Sequence, residues 1–505
     1  MPDRLFRKDL LYVILVLTGS FAITYAPVFS ANYAYLDEAH QLWFNRGNEN
    51  FLMFHTQGRW LTGLLFDSLF KKTNTVADIR HLRMVSLAGW MVTALCAVFV
   101  LRRWITALQL PKQLWHASVL FFAAGLPVVI CIGWASCMEM FLGALAALLS
   151  AHLLFTQLTS TTKNKLHVNV LASLAAMLLG IASLFIYQNC FGIFLIPFLL
   201  LHFRNRSAQP SKQVLMGLGF YLATYLIYFL LFKLSLHAYH VDASPRTAME
   251  WNLLRKMGFF FSGPFPQGFS VNLLYSGNSV VSQAWYLLVF LVWAVLLYKY
   301  FARKKTAAFV VYLLSLLAGL ALVYIPGLVA KENFASLRTL FAFNLAVWLL
   351  FCATALSLLQ TERGRWWFAG GAAAWLFVTG WYAYHIQFVQ PLTKEYAAFT
   401  SIFKSRFHTA VDTVYFIQPQ RDLFTQQFGT RVYKDEFGMP STFKEWVPAP
   451  LIKQTVYELT GNRQTAEKLV VIYGSEDKVT LPALPTPNVM VVDGNKLFDR
   501  TTPVQ

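Results

Sequence analysis

Long apolar runs separated by short basic breaks organise this chain. Runs at 9–29, 84–101, 115–133, 138–157, 168–184, 186–203, 213–236, 284–301, 307–326, 337–358 and 366–388 each approach the length needed to cross a bilayer. The basic breaks between them are Arg4/Arg7/Lys8, Arg102/Arg103/Lys112, Lys163/Lys165, Arg204/Arg206/Lys212, Arg303/Lys304/Lys305 and Arg363/Arg365. Loops rich in Lys and Arg stay on the cytoplasmic side, so each interval between clusters holds two crossings. The pattern predicts a mostly α, polytopic membrane helical bundle of about 11 spans, N-terminus in and C-terminus out. Arg4, Arg7 and Lys8 before the first run imitate a signal sequence, but the run is long and Tyr25-Ala26-Pro27 suits cleavage poorly, which predicts a retained span.

Residues 1–388 read as the membrane domain, with large external loops at 30–83 and 237–283, and 389–505 as an external tail domain. Helical spacing at 34–44 and 60–70 predicts two short helices lying flat on the membrane, since neither is long enough to cross. Residues 250–261 predict an amphipathic interfacial helix. In the tail, 413–418, 469–473 and 489–492 are β-rich, 396–407 and 451–459 have helical spacing, and Asp493-Gly494 predicts a hairpin turn. The tail therefore reads as a small α/β domain, without a Gly-rich phosphate loop, a nucleophile elbow or metal-ligand spacing.

Composition sharpens the membrane reading. The 505 residues are 57% apolar and 13% charged, against about 45–50% and about 25% in soluble domains. A net charge of +18 sits in scattered clusters, not in one stripe, which argues against a nucleic-acid partner and for membrane lipids. The five cysteines lie in or beside apolar runs without a C-x-x-C pair, so neither a disulfide framework nor a zinc site is indicated.

Candidate chemistry gathers at the external side. Asp37 and Glu38 follow the first span; on a helix they point about 100° apart, so one can face a site while the other braces it. A carboxylate in an enclosed position can act as a general base, and an acidic first helical turn is the plainer explanation. Glu139 follows the turn at 133–137, at the mouth of an apolar run, where an ionisable group faces a cavity or the solvent. Arg59, Arg80, His81, Arg83, Lys331 and Arg338 are external cations that positive-inside sorting does not explain. Arginines there can fork onto a phosphate or a carboxylate, or snorkel to head groups. Tyr187-Gln188-Asn189 interrupts an apolar hairpin and could recognise sugar hydroxyls or bond between helices. His55 and His40 could join the acids at a metal, though two histidines without fixed spacing are weak evidence.

A first span, an external loop opening on an acid pair, many further spans and an external tail resemble the GT-C superfamily of membrane glycosyltransferases. The acid pair in Tyr35-Leu36-Asp37-Glu38, Gly58-Arg59-Trp60, Tyr187-Gln188 and Ser336-Leu337-Arg338 look most like the serotype-converting O-antigen glucosyltransferases, over roughly the first 360 residues. That family often has two aspartates where this chain has Asp37-Glu38; an Asp-Glu pair also occurs in GT-C protein mannosyltransferases and lipid A aminoarabinose transferases. The acceptor therefore stays open between glycan and lipid.

The resemblance implies a polyprenyl-phosphate sugar donor and an extracytoplasmic acceptor hydroxyl. It gives Asp37, Glu38 and Glu139 to catalysis, and Arg59, Arg338, Lys331, His55, Tyr187 and Gln188 to substrate binding. No cofactor follows from the residues, and a divalent metal, Mg or Mn, is left open. The setting implied is a multi-pass protein of a bacterial cytoplasmic membrane, active on its external face. Competing readings are a lipid or sugar transporter or flippase, a surface-polysaccharide polymerase or ligase, and a membrane scaffold for the tail. A transporter predicts repeats and midplane charges, and neither is visible.

Overall fold

Eight helices among the described residues are long and apolar enough to cross a membrane by length and composition. They are Asp9–Phe29, Val76–Ala107, Gln113–Gly133, Ala135–Thr159, Lys212–Tyr239, Val280–Phe301, Thr306–Val323 and Phe341–Leu358. The structure, a computed structural model, describes residues 2–45, 49–159, 169–276, 279–301, 306–480 and 487–499. The predicted cytoplasmic residues Lys163, Lys165, Arg303, Lys304 and Lys305 lie outside these, as do the side chains of Arg4, Arg7 and Lys8.

The remaining predicted spans take other forms. The run at 168–184 is a shorter apolar helix, Val170–Ile186. The run at 186–203 opens as a 3₁₀ segment, Gln188–Leu195, and becomes α-helical only over Ile196–Asn205, where Pro197 occupies the first turn. The run at 366–388 is Glu362–Tyr382, which passes through a π-helical turn, Ala383–Val389, into Gln390–Arg406 without a break. Such π turns tend to mark functional positions.

Burial sorts the helices into layers. The Gln113–Gly133 run is 94% buried and forms the centre of the bundle, whereas Lys212–Tyr239 and Thr306–Val323 are each 22% buried. Leu226, Leu230 and Leu314 stand exposed on these outer helices. An apolar surface of that extent requires an apolar solvent, which is the bilayer. The central run is broken at Gly125, with Pro127 in the first turn of its last segment, Leu126–Gly133. That segment ends against the π turn: a Cβ on Gly133 would stand 2.7 Å from the Phe388 ring, so only glycine admits the contact.

The loop after the first span holds three short helices, Asp37–Phe44, Glu49–Thr56 and Trp60–Phe70. Two of them were legible as periodic apolar spacing. In the second loop Leu253–Ser262 is helical and leaves Leu254 and Phe261 exposed, as an interfacial helix does.

The C-terminal region is built on three strands, β1 (Thr413–Ile417), β2 (Val470–Gly474) and β3 (Val489–Asp493), all parallel in the order β2-β1-β3. The predicted strands are thus present, but the hairpin at Asp493-Gly494 is not. Parallel strands cannot be joined by a two-residue turn. Asp493 instead caps a 3₁₀ turn by accepting from Asn495 N at 3.0 Å. Phe416 of β1 packs its ring on Phe399 of the Gln390–Arg406 helix. The Pro448–Thr460 helix lies on the Asp37–Phe44 helix of the first loop.

Candidate functional site

The chain enters the first loop through a pinned segment. Tyr33 Oη donates to Gly133 O at 2.8 Å, and Tyr35 Oη donates to Asp435 O at 2.7 Å. Between them and the helix stands Leu36, a non-glycine residue at φ +46°, a conformation that stores strain. Two bonds hold it: Leu36 N donates to Ser441 Oγ at 2.9 Å, and Glu38 reaches back to accept from Tyr35 N at 2.7 Å.

Glu38 is fully buried, and both of its oxygens accept hydrogen bonds. Its Oε2 also accepts from Arg83 Nη2 at 2.5 Å, and its Oε1 from Ala135 N at 2.5 Å. Arg83, itself 1% exposed, donates further to Tyr33 O and lies over the Tyr33 ring. Burial pushes the Glu38 carboxyl up from its ordinary value, while Arg83 and the two backbone N–H groups pull it down. These three bonds make Glu38 a brace between the loop entry, Arg83 and Ala135. Asp37, one residue earlier, points about 100° away. It is half-buried, and its Oδ1 accepts from Trp446 Nε1 at 2.9 Å.

A second cluster brings four predicted residues together. The Val170–Ile186 helix stops because Tyr187 turns extended, which leaves the Ile186 carbonyl unpaired within the helix. Thr62 Oγ1 donates to it at 2.8 Å and Arg59 Nε at 3.1 Å. The Arg59 guanidinium lies 4.6 Å from the Tyr187 ring centre and forms an ion pair with Glu139 through Nη2. The second oxygen of Glu139, Oε2, is buried without a hydrogen-bond partner. Arg338 lies 4.3 Å from the Trp134 ring centre, donates to Cys137 Sγ at 3.3 Å, and is within electrostatic reach of both Glu139 and Tyr187. Arg59 Nη1 and Arg338 Nη2 make no hydrogen bond among the described residues.

The other three predicted residues stand apart. Gln188 donates to Gln57 O and to Tyr228 Oη, each at 2.9 Å, and Tyr228 Oη donates to Gly58 O at 3.0 Å. Gly58 sits at φ +72°, and a Cβ there would meet Tyr228 Oη at 2.3 Å, so the turn that launches Arg59 requires glycine. The Gln188 amide nitrogen is thus used on that turn. His55 bonds Ser235 Oγ at 2.9 Å and packs on Tyr239. Lys331 is exposed; its backbone N–H donates to Ala248 O at 2.7 Å, next to an isolated bridge, Met249↔Ala330. Among the described residues, no three His, Cys, Asp or Glu side chains group as metal ligands do.

Three participants escaped the sequence reading. Arg83 was seen as an external cation but not as the partner of Glu38. Glu436, fully buried in the C-terminal region, accepts from Leu337 N at 2.6 Å and Arg338 N at 3.1 Å, and its Oε1 lies 3.6 Å from Arg338 Nε. Burial raises the Glu436 carboxyl, against the pull of Arg338. Trp446 is the third. A carboxylate and an indole in a polar tail carry no local signal for partners 98 and 409 positions away.

The site thus holds a half-buried carboxylate, Asp37, and a partly dry cluster of arginines, groups suited to taking a proton and to stabilising an anion. Among curated proteins and among solved structures, none matches the chain. The glucosyl transferase family GtrII, by contrast, matches residues 26–351, which span the first loop, Glu139, Tyr187 and Arg338. This chain therefore belongs to the GtrII family of glucosyl transferases, membrane glycosyltransferases to which an O-antigen role is fitting.

Proposed function

We propose that the protein moves a sugar from a polyprenyl-phosphate donor to an extracytoplasmic acceptor hydroxyl, on an O-antigen or another surface glycan or lipid. Asp37 is the base. The acceptor oxygen attacks the anomeric carbon, the bond from that carbon to the phosphate oxygen breaks, and its electron pair stays with the phosphate. The hydroxyl proton passes to Asp37. Arg59 Nη1 and Arg338 Nη2 meet the charge that grows on the phosphate, and Glu139 Oε2 accepts from a hydroxyl of the transferred sugar. Glu38 holds the loop that presents Asp37.

One observation carries this reading: arginine N–H groups without a hydrogen bond among the described residues and an unpartnered, buried glutamate oxygen lie in one partly buried cluster. A flippase needs no such set of spare anion donors beside an unpartnered carboxylate oxygen. The bacterial cytoplasmic membrane and its external face are the setting that the proposal entails.

The test is transfer from labelled polyprenyl-phosphate glucose to an envelope acceptor, in liposomes, comparing the native chain with Asp37→Asn and Arg59→Ala. Transfer lost in Asp37→Asn with donor binding kept is expected. Full activity in Asp37→Asn sinks the base assignment. Adding a chelator to the same assay tells whether Mg or Mn takes part.

A further inference from the structure

The parallel sheet of the C-terminal region opens a cleft of about 1010 Å³. It sits where the strands end at their carboxyl edge. Gln418 follows β1, Ser475 to Lys478 follow β2, and Asn495 follows β3. In open parallel sheets that edge is where ligands bind. The volume lies at the top of the range of about 300–1,000 Å³ for small-ligand pockets, room for more than one sugar ring.

The lining has the chemistry of a site for hydroxylated rings. Trp446 and Tyr473 present aromatic surface, 43% and 39% exposed, and can stack on the C–H face of a sugar. Polar groups surround them. The Gln418 amide donates to Phe443 O at 3.0 Å, and the Asn495 side chain bridges to Gln420 N at 2.8 Å, which leaves a rigid floor. Four carboxylates and three cations line the cleft, so its charge is mixed. A phosphate or nucleic acid would call for a basic surface; the hydroxyls of a neutral glycan donate to carboxylates and accept from cations.

Position supplies the second argument. Trp446 forms one wall, and the same indole donates to Asp37 at 2.9 Å. The cleft is thus joined to the proposed base through one side chain. We propose that this cleft holds the acceptor glycan and delivers one of its hydroxyls past Trp446 to Asp37; this rests on the reading of Asp37 as base.

The experiment uses the full chain in lipid nanodiscs, with O-antigen polysaccharide freed of its lipid as the probe. Binding is read by saturation-transfer NMR, and transfer by acceptor KM at fixed polyprenyl-phosphate glucose. Tyr473→Ala and Asn495→Ala are each expected to weaken the NMR response and raise acceptor KM about tenfold, with donor KM and kcat at saturation kept. Asp37→Asn is expected to bind the polysaccharide as the native chain does while losing transfer. Unchanged binding and acceptor KM in both cleft variants overturn the cleft, as does a native chain that gives no saturation transfer. Full transfer by Asp37→Asn overturns the base alone, because the cleft is judged by the binding readout.

Discussion

The indole nitrogen of Trp446 donates a 2.9 Å hydrogen bond to Oδ1 of Asp37, across 409 positions of sequence. The contact fixes which way the Asp37 carboxylate faces without burying it. Trp446→Phe keeps the ring and removes the donor. A hydrogen bond to a charged group contributes about 1.5–3 kcal/mol when buried, and less where solvent reaches it. We expect kcat to fall about three- to tenfold in the transfer assay, with the thermal midpoint unchanged.

Arg83 and Glu38 form a buried pair that ties the loop entry to the Ile79–Ala107 helix and the Ala135 turn. Removing one partner of such a pair leaves a bare buried charge, at a cost of about 3–5 kcal/mol. Arg83→Met is expected to lower the thermal midpoint strongly. Arg83→Met with Glu38→Gln together should recover much of that loss, since no lone charge then remains. The measurement is thermal unfolding in detergent, followed by tryptophan fluorescence.

Arg59 and Arg338 use part of each guanidinium to hold position, and in the proposed mechanism the rest meets the phosphate of the donor. Lysine retains the charge but not the fork. Each Arg→Lys change is expected to cut kcat by about 10²–10³, the cost of losing one oriented donor at an oxyanion. Arg246, 66% exposed and 3.8 Å from Glu332, is the contrast: Arg246→Ala should leave transfer unchanged.

Glu395 supplies a pH signature outside the cluster. Its carboxylate accepts from Ser441 N, Thr442 N and Thr442 Oγ1 at 2.9, 3.1 and 2.7 Å, yet burial outweighs these bonds and raises it from the ordinary 4.5. A raised native value means that the folded chain binds more protons than the unfolded one. Its stability contribution is thus greatest below 4.5 and declines as pH climbs from there through the raised value. Glu395→Gln does not titrate, so it should gain on the native chain as pH rises from 4.5 toward neutrality. Thermal midpoints of both across that range check the sign.

How much was legible in the sequence follows from where each signal lives. Spans came from local apolar density, and the strands from β-rich runs, because both are properties of neighbouring residues. The Asp493-Gly494 turn misled because its dipeptide chemistry is local while strand direction is global. Gln188 was legible as a polar interruption, but its amide faces Gly58, a contact set by how two loops meet. Asp37, Arg59 and Arg338 stood out as charges in costly places. Glu436 and Trp446 did not, since an acid and an aromatic in a polar tail are in ordinary places until the fold brings them to Arg338 and Asp37.

The docking of the C-terminal region on the first loop bears on how acceptor preference could be exchanged between members of the family. Ser441, Trp446 and Arg463 hold Leu36, Asp37 and Trp43, while Gln454 and Glu458 hold the Asn74 and Val76 backbone. A chimera that grafts only the C-terminal stretch would carry half of each of these joints into a foreign first loop. The heritable unit is two distant stretches of the gene, and a single crossover between them parts residues that bond one another in the fold.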